Sequence, residues 1–295
     1  MKKYVIIGNG VAAAGCIEGI RSVDRDGEIT VVSEENHPVY CRPLISYYLE
    51  GKTKIKNIGY RPADFYEKNN CRLLLGRRAQ RLEPDEKKVY LDDGTILSWD
   101  SICVAAGSSP FVPPMAGLDS VENKFGFMTL DDALAVEKAA DGEKRVLIIG
   151  AGLIGLKCAE GILGRAKSVT VCDLADRVLS SILDAESAAI MQSHLEKCGV
   201  RFMLGDTAAF FDKNTAHMKS GRDVEFDVLI LAVGVRANSA LVKDAGGDAG
   251  RGIVIDGRCA ASLPDVYAAG DCTESRDASD GKIKVMALMP NAYMQ

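Results

Sequence analysis

Residues 145–173 read RVLIIGAGLIGLKCAEGILGRAKSVTVCD, and the order of residue types in this stretch decides the local fold. Arg145-Val146-Leu147-Ile148-Ile149 is a short apolar run with the length and composition of a buried strand. It runs into Gly150-Ala151-Gly152-Leu153-Ile154-Gly155, a G-x-G-x-x-G turn. In such a turn Gly150 permits the sharp reversal, Gly152 lets backbone approach a pyrophosphate, and Gly155 lets the following helix pack against the strand. The spacing predicts that helix from Leu156 to about Leu163, with a helix N-terminus turned to the phosphates. The partner strand Val169-Thr170-Val171-Cys172 ends in Asp173, 23 positions after Gly150. A carboxylate there accepts from ribose hydroxyls and favours the free 2′-hydroxyl of NADH over a 2′-phosphate, although Arg177 nearby could meet such a phosphate.

The same pattern occurs earlier. Tyr4-Val5-Ile6-Ile7 reads as a strand, Gly8-Asn9-Gly10-Val11-Ala12-Ala13 as a G-x-G-x-x-A turn, and the residues to about Ser22 as a small-residue helix. A second apolar strand, Ile29-Thr30-Val31-Val32, ends at Ser33-Glu34, 26 positions after Gly8, so Glu34 can put a carboxylate on a ribose. One such turn arises often by chance, but two, each with strand, helix and acid, seldom do. Two dinucleotide sites are implied.

Bulk properties set the frame. A chain of 295 residues with 47% hydrophobic and 26% charged residues buries enough surface for two domains. A net charge of −5, with Lys and Arg spread along the chain, gives no footprint for nucleic acid or an anionic membrane. The nine cysteines contain no C-x-x-C, their closest pair in sequence being Cys259 and Cys272, and His37, His194 and His217 are scattered, so no metal site is expected. Lys2 and Lys3 before an apolar stretch ending at Cys16 mimic an export signal, but Gly8 and Gly10 interrupt that stretch, and a cytoplasmic protein with reduced thiols is expected.

Three further segments carry a family resemblance: Val104-Ala105-Ala106-Gly107-Ser108-Ser109-Pro110, Leu231-Ala232-Val233-Gly234-Val235-Arg236-Ala237-Asn238 and Pro264-Asp265-Val266-Tyr267-Ala268-Ala269-Gly270-Asp271-Cys272. With them the chain resembles the pyridine nucleotide-disulfide oxidoreductase superfamily, in its NADH:rubredoxin reductase and nitrite reductase flavoprotein branch. Ala106 and Ala237 depart from the threonine and proline usual at their positions. The resemblance implies an α/β fold of two interleaved Rossmann-like three-layer domains, as in glutathione reductase. FAD is then expected on the first turn, in a discontinuous domain of residues 1–113 and 239–295, and NADH on the second, in residues 114–238. Ala105, Ala106, Gly107 and Gly270 are expected at the FAD, Asp271 at its ribityl and phosphate part, and Val233 and Gly234 at the second crossover. Met286-Ala287-Leu288-Met289-Pro290-Asn291-Ala292 is similar to the segment whose Pro290 and Asn291 begin a helix at the flavin's pyrimidine edge. Relatives continue into a third, C-terminal interface domain, which this chain is expected to lack; its oligomeric state stays open.

The resemblance also implies hydride transfer from NADH to FAD, with the cofactors carrying the chemistry. Within His37-Pro38-Val39-Tyr40-Cys41-Arg42-Pro43, Arg42 and Pro43 are the expected flavin contacts. Many relatives carry a lysine and a glutamate where this chain has Tyr47 and Lys157, so Lys157 is the candidate source of positive charge near the flavin, or else a surface lysine. Cys41 is the candidate redox thiol, which neighbouring Arg42 could activate. Three readings follow: an NADH reductase serving a small carrier protein or metal centre (rubredoxin, ferredoxin or nitrite reductase type); an NADH oxidase, peroxidase or CoA-disulfide reductase working through Cys41; and a flavin- and NADH-binding regulatory or assembly protein.

Overall fold

A computed structural model describes all residues, Met1–Gln295. They form two compact units: Met1–Cys41 with Gly59–Ser109 and Arg236–Gln295, and Arg42–Ile58 with Pro110–Val235. The chain leaves the first unit after Ser109 and re-enters it at Arg236, a few residues before the crossings expected near Pro113 and Asn238.

The first unit is built on a five-stranded parallel sheet, in the order Val266–Ala268, Ser101–Val104, Lys3–Ile7 (β1), Glu28–Ser33 (β2), Cys71–Leu75. Alternation along these strands sends side chains to opposite faces. Val5, Ile7, Ile102, Val104 and Val266 meet Leu82, Val89, Leu91 and Trp99, contributed by an antiparallel sheet of Ala79–Glu83, Lys88–Leu91 and Ile96–Ser98 and the chain just after it. Ile6, Ile29 and Val31 meet Ala13, Ala14 and Ile17 of the helix Val11–Val23 (α1). The alanines let α1 sit close to the sheet, and glycine does the same on its outer side: a Cβ on Gly15 would stand 2.4 Å from the Tyr293 carbonyl oxygen of the short helix Met289–Met294. That helix is anchored by Arg61, whose Nε donates to Glu18 Oε1 at 2.7 Å while Tyr293 Oη donates to Glu18 Oε2 at 2.6 Å.

The second unit repeats the plan. Its parallel sheet runs Val200–Leu204, Ser168–Asp173 (β4), Arg145–Ile149 (β3), Val228–Leu231, Lys124–Phe125. One face packs Leu147, Ile149, Leu229 and Leu231 against Phe211, Ala216, Met218 and Phe226, at and beside an antiparallel sheet of Ala208–Asp212, Thr215–Met218 and Asp223–Glu225. The helix Leu153–Ile162 (α2) packs on the sheet with Leu156, Cys158, Ala159 and Ile162 buried. The α/β class of two doubly layered dinucleotide folds is therefore the observed one.

Residues Arg42–Ile58, expected in the first domain, sort with this second unit. The helix Leu44–Leu49 lies so near α2 that a Cβ on Gly161 would stand 2.8 Å from Ser46 O. Tyr48 Oη donates to Glu137 at 2.5 Å, Arg165 Nε donates to Leu49 O at 2.6 Å, and Arg165 pairs with Glu137 at 3.0 Å. No helix is long and apolar enough to cross a membrane.

Candidate dinucleotide sites

In the first unit β1 ends at Gly8, where φ is +108° and a Cβ would stand 2.1 Å from Ala105 O. Only glycine fits there, for conformation and for space. Its N–H donates to Val32 O at 2.8 Å, which fixes the turn to β2. At Gly10, the N-cap of α1, a Cβ would meet nothing within 4 Å, and no side chain caps the helix. The first-turn N–H groups at Val11, Ala12 and Ala13 thus have no capping side chain and form a positive helix end, the surroundings a pyrophosphate requires. Ala13 is fully buried under the turn.

Neighbouring segments close around this turn. Ala105 N–H donates to Ile7 O at 2.7 Å, and Gly107 takes φ +64° where the chain leaves the sheet. Gly270, at φ +82°, approaches so near that its Cβ would lie 3.0 Å from Ala12 Cβ and 3.5 Å from Ala292 Cβ. Asp271 follows, half-buried. Asn291 Nδ2 donates to Met286 O at 3.2 Å within the segment that carries Pro290. Glu34 stands exposed past the end of β2, whereas Glu35 accepts a 2.6 Å hydrogen bond from Tyr40 Oη. Asn9, silent in the motif, turns out to be a brace: its Nδ2 donates to His37 O at 3.2 Å, its Oδ1 accepts from Tyr66 Oη at 2.7 Å, and Tyr66 Oη accepts from Val39 N–H at 3.0 Å. Asn238 ties the returning chain to the leaving one, donating from Nδ2 to Ala106 O at 2.8 Å and accepting at Oδ1 from Ser109 Oγ at 2.8 Å.

The second unit has the same construction. Gly150 sits at φ +114° with its absent Cβ 2.2 Å from Ala232 O, and its N–H donates to Cys172 O at 2.7 Å. Gly152, the N-cap of α2, is open, and no side chain caps the helix. A Cβ on Gly155 would stand 2.0 Å from Gly150 O, so the third glycine is needed to seat the helix under the turn. The helix begins at Leu153 rather than the expected Leu156, because Gly152 already serves as its cap. Leu153 is exposed and Ile154 half-buried. Val233 and Gly234 follow the Ala232 carbonyl, with Gly234 at φ +123°. Asp173 does more than the sequence pattern assigned: Oδ2 accepts from Ala151 N–H at 2.6 Å and Oδ1 from Ala175 N–H at 2.8 Å. It braces the turn, and each oxygen keeps a lone pair for a ribose hydroxyl.

The remaining expected residues lie as follows. Cys41 is half-buried at the end of the first unit's opening segment, and Arg42, the next residue, belongs to the second unit, where Nη1 donates to Met128 O at 3.0 Å. Pro43 is the N-cap of the helix Leu44–Leu49. Lys157 holds its ammonium 4.7 Å from the centroid of the Tyr47 ring and pairs with Glu160. Lys52 Nζ lies 5.8 Å from the same ring. Burial raises the thiols of Cys158, Cys172 and Cys272, Cys172 to about 12 and Cys272 to about 11, which keeps them protonated and inert at neutral pH.

Two turns of one construction, each with an uncapped helix N-terminus and an acid after its second strand, define a protein of paired dinucleotide folds. The chain belongs to the pyridine nucleotide-disulphide oxidoreductase family, which it matches over residues 2–295. It is similar to a nitrite reductase [NAD(P)H] of Bacillus subtilis (strain 168), 33% identical over 96% of this chain and 36% of that protein. An NADH oxidase of Methanocaldococcus jannaschii is 32% identical over 95% of this chain and 65% of its own. Among solved structures, a chain of the covalent putidaredoxin reductase–putidaredoxin complex superposes with a TM-score of 0.93 at 27% identity, covering 99% of this chain and 72% of that one. The chain thus spans about a third of the nitrite reductase and just under two thirds of the oxidase.

Proposed function

We propose that this chain takes hydride from NADH and passes the electrons singly to a small carrier protein or a metal centre of the rubredoxin, ferredoxin or nitrite reductase type. FAD, when bound, supplies the conversion of a two-electron donor into one-electron steps. The observation that carries the reading is the pairing of two uncapped, open glycine turns, at Gly10 and at Gly152, in one chain. In this assignment Gly8, Gly10, Val11, Ala12 and Ala13 hold the FAD pyrophosphate, Glu34 its ribose, Ala105, Ala106, Gly107, Gly270 and Asp271 its ribityl side, and Arg42, Pro43, Pro290 and Asn291 its ring. Gly150, Gly152, Leu153, Ile154 and Gly155 hold the NADH pyrophosphate, Asp173 the adjoining ribose, and Val233 and Gly234 line the far side of the turn. Lys157 contributes positive charge, oriented by Glu160 and the Tyr47 ring. The similarity to a reductase solved in complex with putidaredoxin supports a carrier-protein acceptor.

A second reading makes Cys41 a redox thiol for oxygen, peroxide or a small disulfide, and the similarity to an NADH oxidase favours it. One experiment separates the two. In an anaerobic NADH titration of the FAD-loaded protein, the carrier reading expects loss of the oxidised-flavin absorbance with about one NADH per FAD. Consumption of about two, with a long-wavelength thiolate–flavin band after the first, overturns it in favour of Cys41.

A further inference from the structure

Ala151, the residue between the first two glycines of the second turn, is buried and is held by both of its backbone groups. Its N–H donates to Asp173 Oδ2 at 2.6 Å, and its carbonyl accepts from Leu179 N–H at 2.9 Å. Leu179 makes that bond from the left-handed region, at φ +50°, and is the one aliphatic residue among the six non-glycines with positive φ. A bulky side chain is a rare occupant of that region. The conformation reverses the chain on a single residue: while the Leu179 N–H donates to the turn, its carbonyl accepts from Ile182 N–H at 2.8 Å and from Leu183 N–H at 2.9 Å. Packing maintains it, because the Leu179 and Val178 side chains are both buried. The loop that carries them is fixed at its root as well, by Ala175 N–H on Asp173 Oδ1 at 2.8 Å and Gly205 N–H on Ala175 O at 2.8 Å. The first turn meets the same need differently: Asn9, in the matching position, is held through its own side chain, which Ala151 lacks.

We propose that Leu179 is a positioning residue for the dinucleotide on the second turn, acting through the Ala151 peptide. A peptide bond is planar and trans, so Ala151 O and Gly152 N–H point in opposite directions, and a hydrogen bond on the first fixes the direction of the second. Gly152 is the N-cap of α2. A tilt of this peptide therefore carries into the first-turn N–H groups of α2, which receive the pyrophosphate in the assignment made above. The inference rests on that assignment, and adds that affinity for NADH depends on the backbone conformation of a residue that need not touch it. Leucine tolerates the conformation because it branches at Cγ. A branch at Cβ crowds the backbone and disfavours positive φ, and with φ lost the N–H turns away from Ala151 O.

The test is anaerobic stopped-flow reduction of the FAD-loaded protein over a range of NADH concentrations, with calorimetric titration of NAD+ as a readout that involves no reaction. Leu179→Ile keeps the composition and volume of the side chain and moves only its branch. The half-saturating NADH concentration and the NAD+ dissociation constant are expected to rise about fivefold, with the rate at saturation unchanged. Leu179→Met, apolar and unbranched at Cβ, is expected to restore both toward native. A residue that served the fold alone would lower the folded fraction, seen as a smaller bleaching amplitude, and leave half-saturation at the native value; that result overturns the proposal, as does equal weakening by Ile and Met. Gly152→Ala is the control for the assignment beneath it. If that variant leaves half-saturation unchanged, NADH is not on the second turn and the proposal falls with that reading; if it raises half-saturation while Leu179→Ile does not, the proposal alone falls.

Discussion

One added methyl group, placed at two positions three residues apart, separates nucleotide binding from folding in the second unit. Gly152 has φ −77° and ψ −178°, which any residue adopts, and its Cβ would meet nothing within 4 Å. Gly152→Ala should therefore leave the stability of the unliganded protein within about 0.5 kcal/mol of native. The new methyl occupies the approach to the α2 N-terminus, where, on the proposed assignment, NADH brings its pyrophosphate to van der Waals distance. A single lost N–H to phosphate contact, at about 1.5–3 kcal/mol for a bond to a charged group, corresponds to at least a tenfold loss of affinity. Gly155→Ala is the converse, because its Cβ would stand 2.0 Å from Gly150 O, a backbone atom that cannot swing aside. Overpacking of this kind costs about 1–3 kcal/mol, and here the upper end is expected. Urea denaturation gives the first quantity, and the NADH-concentration dependence of flavin bleaching gives the second. A Gly152→Ala protein that binds NADH as tightly as native, or a Gly155→Ala protein as stable as native, would refute the reasoning.

Three further outcomes are expected. The Arg145 guanidinium holds the Asp227 carboxyl down at about 2, below the ordinary ~3.9. Because the folded value is the lower one, the stabilisation is full above pH ~4 and is lost as pH falls toward 2; after solvent screening it amounts to about 1 kcal/mol. The urea midpoint of Asp227→Asn should accordingly depend less on pH across that interval, and an unaltered dependence counts against the pair. Asn238→Ala removes two side-chain hydrogen bonds where the chain leaves and re-enters the first unit, and should lower stability by about 1–2 kcal/mol; a melting temperature equal to native would show the tie to be dispensable. Lys157→Ala should slow flavin reduction at saturating NADH, and an unchanged rate would reduce Lys157 to a structural partner of Tyr47 and Glu160.

What the sequence made legible was set by local steric demand. Gly8 and Gly150 announce themselves because positive φ and a carbonyl about 2 Å away exclude every other residue, and such demands recur at fixed offsets from a strand. The braces were not legible because they join positions far apart. Nothing around Asn9 points to Tyr66, 57 residues on. The sorting of Arg42–Ile58 with the second unit depends on Glu137 and Arg165, 89 residues beyond Tyr48 and 116 beyond Leu49. Asp173 was recognised for its position past the strand, but its grip on Ala151 N–H shows only in three dimensions.

The two turns differ in a way that bears on which cofactor each holds. The first is braced from several directions: Asn9 is held by Tyr66 and His37, Gly8 abuts Ala105, and Gly270 abuts Ala12 while its own N–H donates to Gln295 Oε1 at 2.8 Å. The second turn shares the close approach to its third strand, but its side-chain brace is Asp173, and Leu153 at the helix start is 59% exposed. A resident cofactor gains from a site enclosed by many segments, since the ordering entropy is lost once, on folding, whereas a cofactor exchanged at each turnover must enter and leave through an accessible mouth. On the proposed assignment of FAD to the first turn and NADH to the second, the bracing of the first turn by several segments suits a resident group, and the exposed Leu153 at the second suits one that exchanges.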